Sequence, residues 1–95
     1  MNAPYFNRAM TVMRYNPVGD TGLLLSELGF GASPLGDIYH NNVTQETAND
    51  CVSYAIDHGI TYFDVAPYYG LGLAEERLGK ALYPYKDQAV ISTKV

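Results

Sequence analysis

An aspartate, a tyrosine and a lysine in this chain stand where they could move a proton. Asp64 follows the apolar run Ile60 to Phe63, and Tyr69 lies five residues on, in Val65-Ala66-Pro67-Tyr68-Tyr69-Gly70. Lys94 ends a second run, Ile91-Ser92-Thr93-Lys94. A phenol has a pKa of about 10, so at neutral pH it can donate a proton to a developing alkoxide. A nearby ammonium stabilises the phenolate, which eases donation in one direction and abstraction in the other. Lys94 could be that cation and Asp64 the group that holds it, an ion pair costly to bury unless it serves a purpose. The same residues also fit a plain structural account: a strand-end Asp capping the next turn, a surface Tyr, and an edge-strand Lys that resists aggregation. Pattern alone leaves both open.

The elements that must position these residues are readable from turn chemistry and periodicity. Residues 1–11 are polar with isolated aromatics and no period, a loose leader. Val12 to Asn16 and Leu23-Leu24-Leu25 flank Gly19-Asp20-Thr21-Gly22, which predicts a β-hairpin. Leu28 to Ser33 is the next strand, and its glycines suggest close approach to another segment or a ligand. Pro34 to Val43 is a loop. Thr44 suits the N-cap of a helix from Gln45 to His58, with Ala48, Cys51, Val52, Ala55 and Ile56 forming one buried stripe. Gly59 takes the left-handed C-cap position and the strand Ile60–Phe63 follows at once. A second helix runs from about Ala74 to Leu82, with Glu76 and Lys80 as an i, i+4 pair, and Pro84 stops it. Ala89 to Lys94 is the last strand, ending in a buried-looking lysine.

The order is therefore hairpin, β, α, β, α, β. Strands alternating with helices imply an α/β fold with parallel pairing through right-handed crossovers. Catalytic groups gather at the ends of such strands, where backbone leaves the sheet and side chains can enter a cleft. Three such strands cannot close a barrel, and the last keeps an unpaired edge carrying Val90 and Ile91. A cut chain is expected.

Composition narrows the function classes. At 95 residues the chain is one domain at most, and an apolar content of 47% argues against disorder. A net charge of −4, with the six Lys and Arg scattered, argues against nucleic-acid binding. The single cysteine, Cys51, excludes an internal disulfide, fits a reducing compartment, and reads as a buried small hydrophobe. No run reaches the length of a membrane span, and the first ten residues lack the apolar stretch of a secretory signal. A cytoplasmic location is the simplest expectation.

Three lookalikes are set aside. Gly70-Leu71-Gly72-Leu73-Ala74-Glu75 begins like a dinucleotide fingerprint, but Glu75 would put a bulky anion beside a pyrophosphate. His40 and His58 lie far apart without metal-ligand spacing, so no metal is assigned. Glu75 and Glu76 could suggest a glycosidase pair with Asp64, yet acids in a helix's first turn are explained by the dipole.

Tyr62 to Gly70, then Glu75-Glu76-Arg77-Leu78-Gly79-Lys80-Ala81-Leu82, then Ile91-Ser92-Thr93-Lys94, resembles the aldo-keto reductase superfamily. Met13 to Gly19, Thr21-Gly22 and Ser26 to Gly31 resemble its N-terminal hairpin and first barrel strand. The resemblance covers about residue 12 or 13 to the end and is nearest to the L-galactose dehydrogenase and aldose 1-dehydrogenase type. It implies an N-terminal hairpin plus the first three β-strands of a (β/α)8 TIM barrel, truncated, over residues 12–95. It further implies NADP or NAD at the C-terminal mouth and a sugar or small carbonyl substrate. Asp64, Tyr69 and Lys94 match three of the four catalytic positions: Tyr69 the general acid or base, Lys94 its cation, Asp64 the partner of Lys94. Gly31, Ala32 and Asp64 match positions near the nicotinamide ribose. In a reductase hydride goes to the carbonyl carbon; in a sugar dehydrogenase it leaves the anomeric carbon and a lactone results. The fourth catalytic residue, a histidine, would fall beyond Val95, so activity is expected only if the chain continues. Met13, where the family pattern opens, is the expected older start.

Two other classes compete. One is a non-catalytic truncated relative or interaction subunit, separated from the first by whether a histidine strand and a phosphate-binding region follow Val95. The other is a self-contained α/β binding module, which would fold cooperatively alone, whereas a barrel piece would leave apolar faces without partners. Oligomeric state leaves no trace in the sequence.

Overall fold

The computed structural model describes residues 12–40 and 42–94. The expected leader at residues 1–11 and most of the proposed older start's upstream segment lie outside them. Strands β1 (Tyr15–Pro17) and β2 (Leu24–Ser26) form the antiparallel hairpin, with Tyr15 opposite Ser26 and Pro17 opposite Leu24. Both strands begin a little later than the sequence suggested. The turn explains why: Val18 N–H donates to Leu23 O and Thr21 N–H to Val18 O, which draws the pairing past Pro17.

Strands β3 (Gly29–Gly31), β4 (Tyr62–Asp64) and β5 (Val90–Ser92) make a parallel sheet in the order β3-β4-β5. Gly31, Asp64 and Ser92 stand level across it. Helix α1 (Gln45–Asp57) crosses from β3 to β4, and α2 (Leu73–Leu82) from β4 to β5. The parallel order expected from alternating strands and helices is what forms.

Thr44 caps α1 as its composition suggests, its hydroxyl accepting the Thr47 N–H at 3.1 Å. His58 is the C-cap rather than the last helical residue. Gly59 follows with φ +93°, a left-handed backbone that only glycine adopts cheaply. The helices bury Ala48, Val52, Ala55, Ala74, Leu78, Ala81 and Leu82, which close over Phe63 of the middle strand. Phe30 stacks on Phe63 with ring centroids 5.4 Å apart. These apolar contacts supply most of the stability, at roughly 25 cal/mol per Å² removed from water.

Cys51 corrects the sequence reading: it is exposed, not buried. The buried stripe of α1 is narrower than the apolar one and passes through Ala48, Val52 and Ala55. Cys51 falls on the flank, beside an open apolar groove formed with Leu28, Phe30, Tyr54, His58 and Ile60. The expected loop at Pro34–Val43 also contains a short 3-10 turn, Ser33–Gly36. Pro84 lies inside a second such turn, Tyr83–Tyr85, which carries the chain on from α2.

Ser26 ties the hairpin to the sheet. Its hydroxyl donates to Leu28 O at 2.7 Å and accepts the Thr61 N–H at 3.0 Å. Tyr15 adds a bond from its phenol to Gly59 O at 2.7 Å.

Candidate active site

The three parallel strands end side by side, and the residues singled out from sequence meet there. Asp64 is the last residue of β4, and Lys94 stands two residues past β5. Lys94 Nζ donates to both carboxylate oxygens of Asp64, each at 3.2 Å, and to Val65 O at 3.2 Å. An ammonium has three N–H groups. Its three contacts, two on the carboxylate and one on Val65 O, match that number and fix the ammonium between the two strand ends.

Lys94 is not buried, as its place at a strand end had suggested: its side chain is 53% exposed and that of Asp64 41%. Solvent therefore screens the pair, which is better placed to act at a surface than to hold the fold together. Asp64's carboxyl is held below the usual aspartate range, first by a hydrogen bond from Ser92 and then by one from Lys94; desolvation opposes them, and the Lys94 charge adds the smallest lowering effect.

Tyr69 sits on the loop between β4 and α2, half-buried, with its ring centroid 5.7 Å from Lys94 Nζ. The ammonium faces the ring rather than the phenolic oxygen, and no hydrogen bond joins Tyr69 Oη to Lys94 among the described residues. The contact is a cation–π approach. The backbone under Tyr69 is fixed from both sides: its N–H donates to Ala66 O, and its carbonyl accepts from Ala74. Just after it, Gly70 takes φ +65° and packs against Gly36 so closely that a Cβ would overlap the Gly36 carbonyl.

Gly31 and Ala32 complete the strand-end row. Ala32 is fully buried, and its N–H donates to Asp64 O at 2.9 Å. Gly31 is exposed, and nothing stands within 4 Å of where its Cβ would be. That bare backbone beside a carboxylate leaves room for a hydroxyl-bearing group to approach Asp64. The exposed edge of the site carries apolar surface from Ala66, Pro67, Tyr68 and Leu71, next to Lys94.

Ser92 is the residue that sequence reasoning passed over. Its hydroxyl donates to Asp64 Oδ1 at 2.5 Å. The signal was strand register: in paired parallel strands Asp64 and Ser92 are level, so their side chains project on the same side. Among the described residues no group of three His, Cys, Asp or Glu side chains is arranged to hold a metal, and no helix is long and apolar enough to cross a membrane.

The aldo/keto reductase family model matches residues 27–95. The chain belongs to that family. It is 41% identical to the L-galactose dehydrogenase of Arabidopsis thaliana over 88 residues, which are 90% of this chain and 27% of that protein. An aldo-keto reductase from Bacillus halodurans, solved in its holo form, superposes with a TM-score of 0.74 at 32% identity, over 87% of this chain and 26% of that one. An aldo-keto reductase from Klebsiella pneumoniae, solved with NADPH, superposes with a TM-score of 0.67 at 29% identity, over 76% of this chain and 24% of that one. The chain thus spans about a quarter of the length of the relatives it matches. Its hairpin, three parallel strands and two helices are the N-terminal hairpin and first three strands of the aldo-keto reductase TIM barrel.

Proposed function

We propose that this chain carries the proton-transfer residues of an NAD(P)-dependent oxidoreductase acting on a sugar or small carbonyl compound, in the manner of an aldose 1-dehydrogenase. The observation that carries the reading is the Asp64–Lys94 pair, bound through both carboxylate oxygens at the strand ends with the Tyr69 ring alongside. A bound nicotinamide would supply or accept the hydride. Gly31, Ala32 and Asp64 would hold its ribose end, supported by the open backbone at Gly31 and the half-exposed carboxylate.

Tyr69 would give its proton to the oxygen of a carbonyl being reduced, or take the proton of an anomeric hydroxyl being oxidised to a lactone. Lys94 would stabilise negative charge on either oxygen through its positive charge, held beside the Tyr69 ring. Asp64 would keep that ammonium in place. The apolar rim of Ala66, Pro67, Tyr68 and Leu71 would shed water from the site. The similarity to a plant L-galactose dehydrogenase supports a sugar as substrate, and a single cysteine supports a reducing, cytoplasmic setting.

The test is turnover of a panel of aldoses and small aldehydes with NAD and NADP by the full-length protein carrying this sequence. Tyr69→Phe should lower kcat about a hundredfold or more while leaving the dissociation constant for the cofactor nearly unchanged. Unchanged turnover in that variant would remove Tyr69 from the mechanism.

A further inference from the structure

We propose that Ser92 is the positioning residue of the Asp64–Lys94 pair, itself oriented by Tyr62. The inference rests on the proposed function for its consequence, but its geometry stands by itself. Tyr62 and Asp64 lie two apart on β4, and Ser92 is level with Asp64 on β5, so all three project from one side of the sheet. Ser92 Oγ lies 2.5 Å from Asp64 Oδ1 and 3.4 Å from Tyr62 Oη.

The direction of these bonds follows from the supply of protons. A serine hydroxyl has one hydrogen, and the ionised carboxylate can only accept. Ser92 therefore donates to Asp64, which leaves Tyr62 as donor to Ser92. The result is a one-way chain: phenol to hydroxyl to carboxylate, with Lys94 donating to the same carboxylate from its other side.

Tyr62 is held in turn by a glycine. A Cβ at Gly29, on the neighbouring strand, would stand 2.9 Å from Tyr62 Cδ2. The ring lies over bare backbone on one side and reaches Ser92 on the other. This gives a physical purpose to a glycine in the middle of a strand pattern.

Without the Ser92 bond, Asp64 Oδ1 keeps Lys94 alone, and the carboxylate can rotate about Cβ–Cγ with the ammonium following it. A site that needs its cation fixed to a fraction of an ångström would lose rate before it lost fold. The titratable groups around Asp64 are Tyr62 on its own strand, Lys94 beyond β5, and Tyr69 across Lys94. The bond from Ser92 is also the leading cause of Asp64's lowered pKa.

The experiment is a carbon-13 carboxyl NMR titration of Asp64 in the full chain, for the parent and for Ser92→Ala, Ser92→Thr and Tyr62→Phe. Asp64 should titrate below an ordinary aspartate in the parent. Its midpoint should rise toward the ordinary value in Ser92→Ala, return in Ser92→Thr, and rise by a smaller step in Tyr62→Phe. An Asp64 that titrates identically in the parent and in Ser92→Ala would overturn the proposal, as would a parent Asp64 that titrates as an ordinary aspartate. The readout separates the two readings. A midpoint that follows Ser92 while Tyr69→Phe leaves turnover unchanged keeps the positioning role and removes the catalytic one. A midpoint indifferent to Ser92 while Tyr69→Phe abolishes turnover does the reverse.

Discussion

Gly70 and Gly36 touch backbone to backbone: a Cβ on Gly70 would stand 2.9 Å from Gly36 Cα and overlap the Gly36 carbonyl. The contact clamps the loop bearing Tyr69 onto the turn that follows β3. Gly70 also has φ +65°, where a side chain is strained even with room around it. Gly70→Ala should therefore destabilise the chain by more than about 1–2 kcal/mol, the left-handed penalty alone. Urea unfolding followed by circular dichroism would show it, and a midpoint equal to the parent's would disprove the clamp.

Leu78 is 1% exposed and packs in the cluster around Phe63. Truncation to Ala leaves a cavity in a layer only one helix deep, so Leu78→Ala should cost about 2–5 kcal/mol. A loss under about 1 kcal/mol in the same unfolding assay would mean that the helices can collapse to fill the gap.

At the start of α1, Thr44→Ala removes the acceptor for the Thr47 N–H. The expected cost is about 1 kcal/mol, and Thr44→Ser should recover most of it. By contrast, Lys80→Ala breaks a pair whose side chains are 62% and 60% exposed. It should change stability by less than about 0.5 kcal/mol, with no dependence on salt beyond that size.

Asp64 sets an acid limit with a definite sign. Its folded pKa lies below its unfolded one, so its contribution to stability is present above the unfolded pKa and is lost as pH falls through the folded pKa. Asp64→Asn should flatten the fall of stability with acid in the window just below the ordinary aspartate pKa. Parent and variant curves of the same slope there would show that the carboxylate is free of Ser92 and Lys94.

The sequence displayed the elements well because their boundaries are chemically loud. Thr44, Gly59 and Pro84 each mark an end by a mechanism local to the residue, and local mechanisms survive in any context. Cys51 was misplaced because an apolar stripe shows which face of a helix is greasy, while how wide a face is covered depends on what packs against it. Lys94 was misjudged for a related reason: a lysine closing an apolar run reads as buried, whereas here the chain has already left the sheet. The Asp64–Lys94 pairing could be anticipated from two strand ends. The Ser92 bond was harder to see, since it depends on β4 and β5 being level, which is a property of the pair and not of either strand read alone. The approach of the ammonium to the Tyr69 ring instead of its oxygen depends on a loop whose path is set by Gly36, thirty-odd residues away in the chain.

The alternation of the short strands divides the labour of the sheet between its two sides. Phe30 and Phe63 project toward the helices, while Gly29, Gly31, Tyr62, Asp64 and Ser92 project the other way. Neighbouring residues of β3 and β4 therefore serve different tasks: Phe30 and Phe63 hold the helices, and the residues on either side of them face the open side. A substitution at Tyr62 or Asp64 would therefore rework the open side while Phe63 keeps the packing behind the sheet in place.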